Sequence, residues 1–547
     1  MKTSLRLLSA TLFSIIATSA MAASAQNPVT RAVEAMGGEN ALRQVRTVVM
    51  NARAQHWEPQ SNYQAGGDTR PTGDSNIVIA RDFGAKAARV DWDRTKVGGG
   101  GVSFKYSEIY SDGVGIVDGV DTGTNNRTPQ SLKTNQHTMS GIRLASFLRE
   151  QQRASPLLVL DMKSDPTAVT ALPDQTVGGK KLRAVRYDVS RYTFTVMFDP
   201  ATGLPARVRS IDTEPIRGDL NYDLVLSDWR PVNGVQFAHQ LTWELDGKAT
   251  GKADISKVAV NAAIPAERFA ISPEARARRI LPAMGHVPYQ WVGRRVLWGS
   301  FRDTDELSFD PDKVSGLTLV DIAPGVSMSQ GGSHNNMFVE MDKYVIAYDA
   351  PINEMQSRWA IDAAKAKYKK PVKYLIMSHH HWDHANGTRT FVAEGATVIV
   401  GKGSKDHFAR MFSAKHTVIP DELAAKPRKA AIIEVSDKYI ISDGKRQVGA
   451  YYIEHSHSTG TLIAYIPDAR LGFVTDIWSP GRDPLPKKAS QGQIELVRGV
   501  RQHKLDIERF AGGHGSTGVY RDLVALVEQT APRSGLAPVR LAERNRP

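Results

Sequence analysis

Four histidines and an aspartate fall within the six residues His379-His380-His381-Trp382-Asp383-His384, directly after the apolar run Val372 to Ser378. Where the backbone leaves a buried strand, side chains are free to converge. In extended chain His379 and His381, two apart, point the same way and can grip one cation, while Asp383 and His384 on the turn reach a neighbouring one. Neutral imidazole and carboxylate suit zinc, with iron or manganese as alternatives. The 547 residues include 15 His and no Cys, so no thiolate can serve as ligand or nucleophile and no disulfide can form.

Those few residues leave two cations under-coordinated, and the donors they require lie downstream. Strand-like Val448 to Ile453 leads into Glu454-His455-Ser456-His457-Ser458-Thr459-Gly460; the run Phe473-Val474-Thr475 ends in Asp476; Ala511-Gly512-Gly513 ends in His514. Each lies at the end of an apolar strand, where a site on the rim of a sheet would be built.

The elements that must position these groups divide at a Pro- and Arg-rich linker, residues 271–288. Residues 27–270 alternate with period two, as in Ser75 to Ala80, Tyr192 to Phe198 and Gln240 to Leu245. Turn signals at Asp199 to Gly203 and Asp246 to Lys248 separate the runs, which predicts an antiparallel, β-rich domain with short helices at Val29 to Ala35 and Leu144 to Gln151. His56, His137 and His239 are single and far apart there, and are read as structural. The loops Gly98 to Gly101 and Asp121 to Gln130 lack the strand-to-helix context of a phosphate site. Residues 289–530 change to apolar strands alternating with helical stretches, the pattern of an α/β domain. Lys343 to Ala350, Val372 to Ser378, Ala396 to Val400, Leu462 to Ile466 and Leu471 to Thr475 read as strands, and Glu354 to Lys369 as a helix capped by Asn353 and stopped by Pro371. Residues 531–547 form a polar tail.

At the other end, Lys2 and Arg6 precede the apolar run Leu7 to Ala20, and Ala20-Met21-Ala22 or Ala23-Ser24-Ala25 offers a small-residue cleavage site. Residues 1–22 are therefore expected to be a signal peptide, with a periplasmic or secreted mature chain. No later segment reaches the ~20 apolar residues of a bilayer span, so an integral membrane protein is not expected. The net charge of +13 raises the question of nucleic acid, but the excess is scattered and no partner of that kind is expected.

Over about residues 285 to 530 the sequence resembles the metallo-β-lactamase superfamily. The resemblance is carried by the H-x-H-x-D-H motif at His379 to His384, by His457-Ser458-Thr459-Gly460, by Asp476 after its strand, and by Gly513-His514-Gly515. It implies an αβ/βα sandwich with a dinuclear site. It implies first-metal ligands His379, His381 and His457, second-metal ligands Asp383, His384 and His514, Asp476 bridging both, and a structural role for Asp349. Lacking cysteine, the chain looks closer to the glyoxalase, lactonase and phosphodiesterase side of that superfamily than to β-lactamases with a cysteine ligand. The β-rich half more weakly resembles the curved sheet of lipoprotein carriers.

The expected activity is that of an exported metal-dependent hydrolase. Two divalent ions, zinc first, would activate a water against an ester, lactone, thioester, β-lactam or related bond of a small-molecule substrate. Asp383 and Asp476 are the candidate catalytic carboxylates. The rivals are a non-hydrolytic dimetal lyase or oxygen-chemistry enzyme, and an apolar-ligand carrier with a silent metal domain. His380, between two ligands, should point away from them. His455 is read as a hydrogen-bonded rim histidine before a substrate-facing one, and His334 as a residue that could border the groove.

Overall fold

A computed structural model describes residues 28–97, 103–121, 136–277, 317–331, 334–481 and 485–530. The expected signal peptide (1–22), the glycine loop 98–101, residues 122–130, the linker beyond residue 277 and the tail 531–547 lie outside the described residues. The chain divides into two compact units. One comprises 1–58, 71–214 and 219–305; the other comprises 59–70, 215–218 and 306–547.

The first unit is built on a 13-stranded antiparallel sheet. Its order follows the chain outward from Thr47–Glu58 to Gln136–Thr138 on one side, and inward from Val169–Val177 to Lys248–Val260 on the other. The two runs join where Thr47–Glu58 pairs with Lys248–Val260. Strand alternation is visible in burial: Thr47–Glu58 buries every second residue from Val48 to Glu58. The expected hairpin at Asp246 forms with positive φ at both Asp246 (46°) and Gly247 (79°), the geometry that matches strand twist. The helix Gly141–Arg153 extends beyond the expected Leu144 to Gln151 at both ends, and its three arginines are buried. Arg143 pairs with Glu108 and Asp121, Arg149 with Asp212, and Arg153 with Glu150. His56 bonds Ser75 and His239 bonds the Phe237 carbonyl, as structural histidines should.

The second unit stacks two sheets. The first runs Thr318–Ala323, Val326–Gln330, Met337–Glu340, Val345–Tyr348, Val372–Ile376, Thr397–Gly401 and Ile432–Val435, antiparallel through Val345–Tyr348 and parallel thereafter. The other runs Lys438–Ser442, Gln447–Tyr452, Leu462–Ile466, Leu471–Val474, Arg509–Gly512 and Thr517–Val519. One core joins their inner faces: Met328, Ile346, Tyr348 and Ile376 meet Val448, Leu462, Ile466 and Phe473. A second core lies under helices Gln491–Gln502 and Tyr520–Thr530, where Leu496, Val500, Leu523 and Val527 cover Ile463, Val474 and Phe510. Helices Glu354–Tyr368 and Thr388–Glu394 pack on the first sheet, completing a helix, sheet, sheet, helix sandwich.

Local signals worked as written. Asn353 accepts from the Gln356 amide at the start of Glu354–Tyr368, and the helix ends at Lys369, in left-handed backbone, two residues before Pro371. Among the described residues no helix is long and apolar enough to cross a membrane.

Candidate metal centre

Strand ends carry the candidate groups. Val372–Ile376 ends in the buried pair Leu375 and Ile376 and releases the chain at Ser378, so His379, His380, His381 and His384 emerge from the core almost without exposure. Leu471–Val474 ends at Asp476, whose φ of 58° turns its carboxylate back over the rim. Arg509–Gly512 ends beside His514. The glycine before it is needed, because a Cβ on Gly513 would come within 2.4 Å of Thr475 Oγ1.

All seven residues expected from sequence are brought together, in two groups whose donor atoms lie within 4.8 Å of one another. His379, His381, His457 and Asp476 form one; Asp383, His384 and His514, joined by His334, form the other. Asp476 faces both groups with different oxygens. Its Oδ1 lies 2.7 Å from His514 Nε2 and 3.2 Å from His384 Nε2, and its Oδ2 lies 3.1 Å from His457 Nε2 and 3.3 Å from His379 Nε2.

Hydrogen bonds on the outer side of the rings set which nitrogen looks inward. Asp349 is fully buried and accepts from the Ser378 amide (2.7 Å), the Ser378 hydroxyl (2.8 Å) and His384 Nδ1 (3.0 Å). With its proton committed to Asp349, Ser378 Oγ accepts from His379 Nδ1 at 3.1 Å. His381 donates from Nε2 to the Asn62 carbonyl at 2.9 Å. His379 and His384 therefore turn Nε2 lone pairs inward, and His381 its Nδ1. His379 Nε2 and His457 Nε2 stand 3.3 Å apart, a close approach that a shared cation relieves.

Burial pushes His379 and His381 below the ordinary imidazole range, toward the neutral form a metal requires. Burial would also lower His384 and raise Asp476. Instead the charges of Asp476 and Asp383 hold His384 well above its usual value, and His384 holds Asp476 well below the carboxylate range. The positive charge these carboxylates draw onto His384 is one a divalent cation can supply. The donor set, imidazoles with aspartates and no thiolate, fits such cations.

His380 belongs to neither group; its Nε2 lies 3.1 Å from both oxygens of Asn62. His455 donates from Nε2 to the Gly492 carbonyl and accepts the His457 amide at Nδ1, so it orients the chain at His457. Asn62 and the surrounding residues 59–70, which belong to the second unit by their contacts, carried no signal in the sequence. His334, read from the sequence as a residue that could border the groove, is brought into the second group.

A two-sheet sandwich with a His and Asp centre at its strand ends defines the class. Residues 331–514, within the second unit, match the model of the Metallo-beta-lactamase superfamily, a metallo-beta-lactamase-type domain. Similar solved structures include a metallo-beta-lactamase from Pontibacter korlensis, at 15% identity over 40% of this chain and 98% of that chain, with a TM-score of 0.30. FIM-1 from Pseudomonas aeruginosa in its mono-zinc form shows 17% identity over 41% and 97%, with a TM-score of 0.30. A flavodiiron protein from Giardia intestinalis shows 16% identity over 39% and 58%, with a TM-score of 0.28.

Proposed function

We propose that the protein is an exported hydrolase that uses two divalent cations, zinc in the first instance, to cleave an ester, lactone, thioester, β-lactam or related bond in a small molecule. The observation that carries the reading is Asp476, which divides its two oxygens between two separate histidine groups, an arrangement open to a bridging carboxylate. Two cations held by these residues would supply Lewis acidity, lowering the pKa of a bound water toward ~7 and offsetting charge that develops on a carbonyl or phosphoryl oxygen.

The chain's own groups do the rest. Asp383 extends Oδ2 toward His334 and His384 and is the carboxylate positioned to orient the attacking water, take its proton and return it to the leaving group. Asp476 holds the two groups in register. Asp349, Ser378 and Asn62 keep the rings from rotating, so the site is preorganised.

Metal analysis of the purified protein, followed by a panel of lactone, thioester, β-lactam, sulfate-ester and phosphodiester substrates, tests the reading. Two metals per chain and turnover of one class, abolished by chelation, are expected. Absence of bound metal under metal-replete expression removes it.

Export rests on the charged, apolar and small-residue zones of residues 1–22. Mass spectrometry of protein from a Gram-negative host should find a mature chain beginning near Ala23; an intact Met1 on cytoplasmic protein overturns that part alone.

A carrier role for the first unit is a second reading. It is favoured by a cavity of about 180 Å³ lined by Ile77, Ile79, Trp92 and Leu241, with Glu108 and Arg143 also on its wall. Its test is saturable binding of a fluorescent apolar probe that Ile79→Trp abolishes.

A further inference from the structure

We propose that His334 is a fourth protein donor to the second cation position, beside Asp383, His384 and His514. The inference rests on the two-cation reading above and adds to its ligand set.

The geometry is that of a ligand. One donor atom from each of the four residues lies within 4.8 Å of the others. His334 Nε2 is 3.3 Å from Asp383 Oδ2, and its ring centre is 4.2 Å from that of His514 and 5.1 Å from that of His384. The residue is 9% exposed. Its Nε2 thus faces the Asp383 carboxylate beside two other imidazoles. A cation among them satisfies all four.

The segment that carries it is built to hold this position. The Asn335 amide donates to the Gly513 carbonyl at 2.8 Å, and Asn335 Nδ2 donates to the carbonyls of Gly512 and Gly515 at 2.9 Å each, so the loop is tied to both sides of His514. Gln356 Nε2 donates to the His334 carbonyl at 2.8 Å, and the Asn336 amide donates to Ser329 Oγ at 2.7 Å. Asn336 Nδ2 donates to the carbonyl of Asp349, whose carboxylate orients His384. One network thus fixes His334, His384 and His514 together.

The consequence is a difference between the two positions. The first offers three imidazoles and the Asp476 carboxylate. With His334 the second offers three imidazoles and the Asp383 carboxylate, plus the other oxygen of Asp476, which makes five protein donors before any water. Zinc favours four donors, whereas manganese and iron take six readily. The second position is therefore the one that accepts these ions beside zinc.

The test is titration of metal-free, full-length protein with Co(II), followed by visible absorption and by metal content after dialysis against chelator buffers. Wild type should take up two equivalents. His334→Ala should keep the first and bind the second about 10- to 100-fold more weakly, with a changed d–d spectrum. His334→Gln keeps a hydrogen-bond donor for Asp383 but not the imidazole, and should behave like the alanine variant. It also controls for misfolding of His334→Ala. If wild type binds two ions and either the glutamine variant or both variants bind them as tightly, His334 is not a ligand and the two-cation reading stands. If wild type binds fewer than two, both readings fall.

Discussion

The Nε2 of His381 donates a hydrogen bond of 2.9 Å to the backbone carbonyl of Asn62, a residue 319 positions earlier in the chain. That bond commits one ring nitrogen and leaves the Nδ1 lone pair free for a cation beside His379 and His457. The segment bearing Asn62 is itself anchored: the Trp382 amide donates to the Gln60 carbonyl, the Thr459 amide donates to the Tyr63 carbonyl at 2.8 Å, and Asn62 Nδ2 donates to the Gly67 carbonyl at 3.0 Å. A strap from the early part of the chain thus fixes a ring of the metal centre.

Asn62→Ala removes the side-chain bonds that shape this strap while leaving the carbonyl in the chain. The first cation position should weaken about 10-fold, the lower end of what is lost when a group orienting a ligand is removed. Metal content after graded chelator dialysis reads this directly. Unchanged affinity would make the strap a covering and nothing more.

Asp383 has two separable roles. Asp383→Asn keeps the size and one carbonyl oxygen but removes the charge. Occupancy of the second position should fall, and turnover should drop by roughly 10² to 10⁴, the usual range for a displaced general acid or base. His379→Ala should instead weaken the first position. Two bound metals and near-native turnover in Asp383→Asn would remove both roles.

Asp349 is a structural anchor whose loss should register in stability as well as in the site. It is fully buried and accepts three hydrogen bonds through its two oxygens. Asn tolerates its φ of 55°, so Asp349→Asn tests the charge without straining the backbone. It replaces one acceptor oxygen by a donor facing other donors, and should cost about 1–3 kcal/mol in urea denaturation. A stability equal to wild type would mean that the neighbours rearrange around it.

Bound cations should also stabilise the fold. Free metal at about 100 times its dissociation constant contributes about 2.7 kcal/mol per site when only the native state binds it. Thermal melting before and after chelation, and after metal is restored, should show a reversible fall. No change in melting or activity on chelation would contradict the centre outright.

The H-x-H-x-D-H run could be read directly because a strand end and the turn after it dictate side-chain direction within a few residues. The other strand-end donors, His457, Asp476 and His514, were legible for the same reason. The helix Glu354–Tyr368 was equally local: Asn353 caps it, left-handed backbone at Lys369 ends it, and the sequence around both carries the signal. The buried arginines of Gly141–Arg153 were not legible, because their carboxylate partners come from elsewhere in the sheet. The centre shows the same division more sharply. Residue types and spacing marked the segments, and the family resemblance implied the seven donors within them, yet which oxygen of Asp476 meets which group depends on how the two sheets stack. His334 sits alone in a glycine-rich segment with no periodicity to mark it. It joins the others only because Asn335 ties that segment to the His514 loop. Asn62 acts through a backbone carbonyl, which every residue possesses and no side-chain pattern can announce. Local sterics and hydrophobic periodicity are written into neighbouring residues, whereas a hydrogen bond across 319 positions exists only once the chain has closed on itself.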